Sequence, residues 1–206
     1  FLMNQGYTLV WVGWEFDIDR GLSIDVPSTI ENQAMPIAGL GFAAVRDIGS
    51  WIKYSSDTLI SADHLISFGL SQSGRYLRNY LYLGFNTDES GRKVYDGMIP
   101  HIAGSSKIDL NRRGAEPVSQ GQYIETSYPF ADEAYTDPVT GLSEGLLENP
   151  RASQNQPRIF YTNSAVEYWG GGRVAALVHT SPDGSQDLNL PENVRFYFLA
   201  GTQHGP

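Results

Sequence analysis

Two segments of the chain set a serine among small residues. Gly141-Leu142-Ser143-Glu144-Gly145 is a strict G-x-S-x-G, while Gly69-Leu70-Ser71-Gln72-Ser73-Gly74 has a serine in its last small position. Such a short pattern arises by chance, so the setting decides. A nucleophilic serine of this kind needs a strand that runs into a sharp turn and then a helix. The turn lifts the hydroxyl clear of the backbone, and small neighbours let the chain pass itself closely. Ser71 follows the strand pattern His64–Phe68 and precedes a helical pattern from Arg75. Ser143 follows Asp137-Pro138-Val139-Thr140-Gly141, which is turn chemistry with no strand before it. Ser71 is therefore the candidate nucleophile, and Ser143 reads as a solvated loop serine. Ser73 would need a small residue where Arg75 stands, so its expected part is to let the turn close. The Gln72 N–H, one residue past Ser71, is placed to donate to an oxyanion, and a helix N-terminus favours the same charge.

A serine hydroxyl attacks only when a base takes its proton. For a serine turn of this kind in an alternating strand–helix topology, the base follows the last strand and the acid the strand before it, in the chain order nucleophile, acid, histidine. Of the four histidines, His204 lies four residues past Ala200, the end of the strand pattern Val194–Ala200, and is the candidate base. His179 leads into the turn Ser181-Pro182-Asp183-Gly184 and reads as a helix-terminal or surface cation. His101 ends a strand and could line the site, although a satisfied core role suits it as well. His64 enters its strand at the far end and reads as structural. The acid is expected after the strand Pro157–Thr162, where Glu167 is the carboxylate in Asn163 to Gly172. It would hold the His204 tautomer and stabilise the imidazolium. Asp183 and Asp187 are rivals on a later loop and suit turns better.

Several elements must position these groups. Tyr7–Val12 is a β-branched and aromatic run, read as a buried strand. Ala38, Phe42, Val45, Ile48 and Ile52 recur at helical spacing over Pro36–Tyr54. A second helix is expected over Arg75–Phe85, a third strand over Val94–Ala103 and a short helix over Gly172–Val178. Strands alternating with helices predict a mostly parallel sheet covered on both faces, with the chemistry at the carboxyl ends of the strands. Residues 105–156 break the alternation. This stretch of 52 residues holds eight acids, four bases, four Gly and four Pro, and is expected to be a cap or lid above the strand ends.

Composition narrows the function classes. The chain has 206 residues, 41% of them hydrophobic and 18% charged, which is ordinary for a globular domain. Its formal net charge of −9 disfavours nucleic acid and anionic membrane surfaces as partners. There is no cysteine, so disulfides, thiolate metal sites and a cysteine nucleophile are excluded. No apolar run reaches the roughly 18 residues of a membrane span. The compartment stays open, with a secreted or periplasmic location the expectation.

These residues carry a family resemblance. Gly6–Trp14, Gly69–Arg75, Asp96-Gly97 to His101–Gly104, Asn163–Trp169 and Ala200–Gly205 together resemble, in order, the bacterial family named for its alpha/beta-hydrolase domain. The resemblance implies an α/β-hydrolase fold and a serine hydrolase with a Ser71, Glu167, His204 triad. It does not extend to a substrate. It also implies that Tyr7–Trp14 is the fourth strand of the fold, with strands one to three lying before Phe1. The core would then be 1–104 with 157–206, from the fourth strand onward. The sheet is expected to be incomplete beside Tyr7–Trp14, or completed by the N-terminal part of the same protein or by another chain. The loop that normally gives the second oxyanion donor would be absent; Gly13, Trp14 or Glu15 could replace it.

The expected activity is cleavage of a small-molecule carboxylic ester through an acyl-enzyme, with neither metal nor cofactor. An amidase or peptidase could use the same groups, and a binding domain could keep the fold without chemistry. Trp14, Glu15, His101 and Trp169 are the expected lining of the site.

Overall fold

The computed structural model describes residues 2–14, 29–30, 33–34, 40–108, 128–170 and 174–205. In chain order the elements are β1 (Thr29–Ile30), β2 (Gln33–Ala34), α1 (Leu40–Tyr54), β3 (Ile66–Leu70), α2 (Gln72–Tyr82), β4 (Gly97–His101), β5 (Tyr135–Thr136), β6 (Ser143–Glu144), β7 (Arg158–Ser164), α3 (Ala165–Trp169) and β8 (Val194–Leu199). Short 3-10 helices lie at Met3–Gln5 and Ala175–Val178. The central sheet has four strands in the order β3-β4-β7-β8. Every pairing in it is parallel, so all four carboxyl ends lie along one edge of the layer.

The core forms where the amphipathic helices meet one face of this sheet. α1 buries Phe42, Val45, Gly49 and Ile52, a three-or-four-residue spacing that makes one stripe. Gly49 takes the place in the stripe expected of Ile48, which is only partly buried. α2 adds Tyr76, Leu77, Tyr80 and Leu81, and the sheet answers with Met98, Ile159, Tyr161 and Val194. Tyr168 of α3 packs on Phe196 and Phe198, which alternate onto the same face as Val194. The expected cover on both faces is thus found on one among the described residues. On the other face Ile66, Phe68 and Leu70 are more than half exposed.

Tyr7–Val12 departs from expectation. The segment is not a strand and is not buried: Trp11 is 98% exposed. A strand exists only through its ladder, and this run pairs with none of the described strands; a β-branched composition alone does not supply the partner. Among the described residues β3 pairs with β4 alone, so this run adds no strand beside it. Elsewhere the boundaries shift for local reasons. β3 runs on to Leu70 because Leu70 is in register with His101 of β4. The helix expected from Gly172 is a 3-10 helix over Ala175–Val178.

The stretch expected to cap the strand ends is described at 105–108 and 128–156. β5 and β6 form a small antiparallel hairpin in it. Tyr128 closes that hairpin, its hydroxyl donating to the Tyr135 carbonyl at 2.7 Å and accepting from the Glu144 N–H at 2.6 Å. Ser143 therefore sits in a two-residue strand rather than a loop, and it is exposed. Leu146 and Leu147 are buried in the main core, so this part of the chain is packed into it. A polar contact joins the same two parts. The Tyr161 hydroxyl of β7 donates to Asp132 at 2.9 Å, and the buried Arg78 guanidinium of α2 lies 5.1 Å from the Tyr161 ring centre and donates to the Phe130 carbonyl.

Candidate active site

Ser71 occupies the single residue between the end of β3 and the start of α2. Its backbone is at φ 56°, ψ −111°, outside the conformations an L-residue adopts freely. Such a conformation costs on the order of 1–3 kcal/mol and persists only where its surroundings enforce it. Two hydrogen bonds do so. The Ser71 N–H donates to the His101 carbonyl at 2.8 Å, and the Ser71 carbonyl accepts the first helical bond, from Arg75 N–H at 3.0 Å. α2 therefore begins at Gln72, three residues earlier than its apolar pattern, and the Gln72 N–H is among the amides of the first turn. Small residues are required on both sides of the turn. A Cβ on Gly69 would stand 2.4 Å from the Ser73 carbonyl oxygen, and one on Gly74 would stand 2.8 Å from the Ala103 Cβ.

His204 comes from the loop after β8, and Glu167 from α3, which starts directly after β7. The Thr202 hydroxyl bonds back to the Leu199 carbonyl at 2.7 Å, turning the chain so that His204 returns over the strand ends. Its Nε2 lies 2.9 Å from Ser71 Oγ. Its Nδ1 bonds to Glu167 Oε1. Glu167 is fully buried at the third position of α3, while the His204 side chain is 39% exposed. Burial raises the Glu167 pKa, but hydrogen bonds from Ser164 and His204, with the imidazole charge, outweigh it and hold the carboxyl below its ordinary value. The site thus has a hydroxyl, an imidazole and an ionised carboxylate in a line of hydrogen bonds, a geometry suited to base-assisted attack.

The other expected residues fall into place around this line. His101, at the end of β4, bonds through Nδ1 to Thr162 Oγ1 at 2.7 Å and stacks on Phe68 at 5.8 Å. Burial, against an opposing pull from Glu167, holds its pKa low, with His204 pushing the same way. Trp14 reaches the turn itself: its indole N–H donates to Ser73 Oγ at 3.1 Å, and its ring stacks on Tyr76 at 4.7 Å. Trp169 is 72% exposed and packs edge-on against Tyr168 and Phe198. Glu15 lies outside the described residues. His179 bonds to the Tyr168 hydroxyl at 3.2 Å and packs on Phe196. His64 stands 3.7 Å from Asp96, at the amino end of the sheet. Asp183 is a turn residue, accepting from Ser181 Oγ at 2.6 Å and Ser185 N–H at 3.0 Å, which lowers its pKa to about 2. Asp187 bridges to Thr180.

Ser164 and α3 are absent from the sequence expectations. The Ser164 N–H donates to Glu167 Oε2 at 3.1 Å, and the Ser164 hydroxyl donates to the same oxygen. The signal was present as Ser164-Ala165-Val166-Glu167, the S-x-x-E spacing that marks a helix start. Among the described residues no group of three or more His, Asp or Glu is arranged to hold a metal ion, and no helix is long and apolar enough to cross a membrane.

A family model described as alpha/beta hydrolase domain matches residues 7–206. No curated protein and no solved structure matches the chain. The four parallel strands, with a serine at the turn after the first of them in the chain and an acid and a histidine after the last two, accord with that match, and the chain belongs to the alpha/beta hydrolase domain family.

Proposed function

We propose that the protein is a serine hydrolase that cleaves carboxylic esters through an acyl-enzyme. The observation that carries this reading is the 2.9 Å approach of His204 Nε2 to Ser71 Oγ, with the far side of the same ring on Glu167. Ser71 Oγ attacks the ester carbonyl as His204 takes its proton, and a C–O bond forms to the acyl carbon. His204 then gives the proton to the leaving alcohol as the ester C–O bond breaks. Water repeats the cycle, losing a proton to His204 and releasing the acid and Ser71. Glu167 holds the ring and balances its charge. The Gln72 N–H is the proposed donor to the oxyanion.

A fluorophosphonate probe tests the nucleophile. The full-length protein is expected to be labelled at Ser71 and to hydrolyse p-nitrophenyl esters faster than the matching p-nitroanilides. A folded protein left unlabelled would overturn the reading; faster anilide cleavage would assign it to amides.

A further inference from the structure

We propose that Ser164 is a positioning residue for Glu167, its hydroxyl holding one carboxylate oxygen so that the other is presented to His204. This rests on the serine-hydrolase reading above. Glu167 Oε2 accepts from both the N–H and the hydroxyl of Ser164, while Oε1 faces His204 Nδ1. The two oxygens are thus divided between two tasks. A glutamate has three side-chain torsions, and one hydrogen bond to a ring that is 39% exposed does not fix them all. A second anchor on the far oxygen does. The surroundings leave Ser164 well placed for it. Ser164 is 1% exposed, ends β7 and stands in register with Leu199, the last residue of the strand from which His204 returns. The start of α3 and the orientation of the acid are therefore one structure.

The Ser164 N–H survives substitution by alanine, so Ser164→Ala isolates the hydroxyl. On an activated ester, with the full chain, this variant is expected to lower kcat about tenfold, the scale of lost support to a site group, with KM unchanged. Without that donor more charge stays on Oε1, so the acid limb of the kcat/KM profile is expected to move to higher pH. In a Glu167→Gln background the same change is expected to cost less than about twofold, because the hydroxyl acts only through the carboxylate. Wild-type kcat with an unmoved acid limb would overturn the proposal, as would an equal loss in both backgrounds. If Glu167→Gln itself leaves kcat at the wild-type value, the serine-hydrolase reading of Glu167 has failed and the proposal falls with it. Should Ser164→Ala not fold, Ser164→Gly replaces it, since glycine is tolerated at a helix N-cap and also lacks the hydroxyl.

Discussion

Gly69 passes directly beneath Ser73: a Cβ on the glycine would lie 2.4 Å from the Ser73 carbonyl oxygen and 3.0 Å from the Gly74 nitrogen. Both neighbours are backbone and cannot swing aside. The turn that lifts Ser71 therefore exists only with a bare Cα at position 69. Gly69→Ala is expected to cost about 3 kcal/mol or more, at the upper end of overpacking effects. Urea denaturation of the two proteins measures it, and fluorophosphonate labelling of Ser71 is expected to fall in the variant.

His204 and His179 are both placed late in the chain, but only His204 approaches Ser71. His204→Ala is expected to lower kcat on an activated ester by on the order of 10³-fold. His179→Ala removes a ring bonded to Tyr168 and is expected to leave kcat within about twofold of wild type. The reverse pattern would move the base to His179.

Trp14 holds the turn from a segment outside the sheet, through one hydrogen bond to Ser73 and one stacked ring. Trp14→Phe keeps the stacking on Tyr76 and loses the bond, for an expected cost of about 1 kcal/mol. Trp14→Ala loses both and is expected to cost about 3 kcal/mol. Equal costs for the two variants would assign the whole effect to the hydrogen bond.

Asp132 gives the protein a distinctive response to pH. Burial pushes its carboxyl up to about 6, against the Arg78 charge and the Tyr161 hydrogen bond, from an ordinary value of 3.8. The native state therefore holds this proton more tightly than the unfolded chain. The contribution of Asp132 to stability is full below pH 3.8 and is lost as pH rises through about 6. Asp132→Asn removes that slope. The difference in unfolding free energy between wild type and variant, followed from pH 4 to 7, is expected to change across this window and to be flat above it.

Much of the arrangement was legible in the residues. The α1 stripe was visible as apolar spacing, because a helix buries residues that are near in sequence. The turn at Ser71 was visible because close packing demands glycine at 69 and 74. Glu167 and His204 stood out because each follows a strand pattern. The beginning of α2 was not, since its first turn is secured by the Ser71 carbonyl rather than by apolar side chains. Ser164 carried the S-x-x-E signal, yet that signal speaks of a helix start and says nothing of a carboxylate shared with a histidine.

The sequence by itself determined the candidates and their order: a serine after one strand, an acid after a later one, a histidine after the last. Tertiary structure alone decided which of them meet. Ser71 and His204 are 133 positions apart, and their approach depends on the register of β3, β4, β7 and β8, which no local pattern encodes. The same cause explains Tyr7–Val12, whose composition suits a strand but whose state is set by pairing. Propensity resides in a residue and its near neighbours, whereas a ladder of hydrogen bonds and a line of hydrogen-bonded side chains belong to segments that only folding brings together.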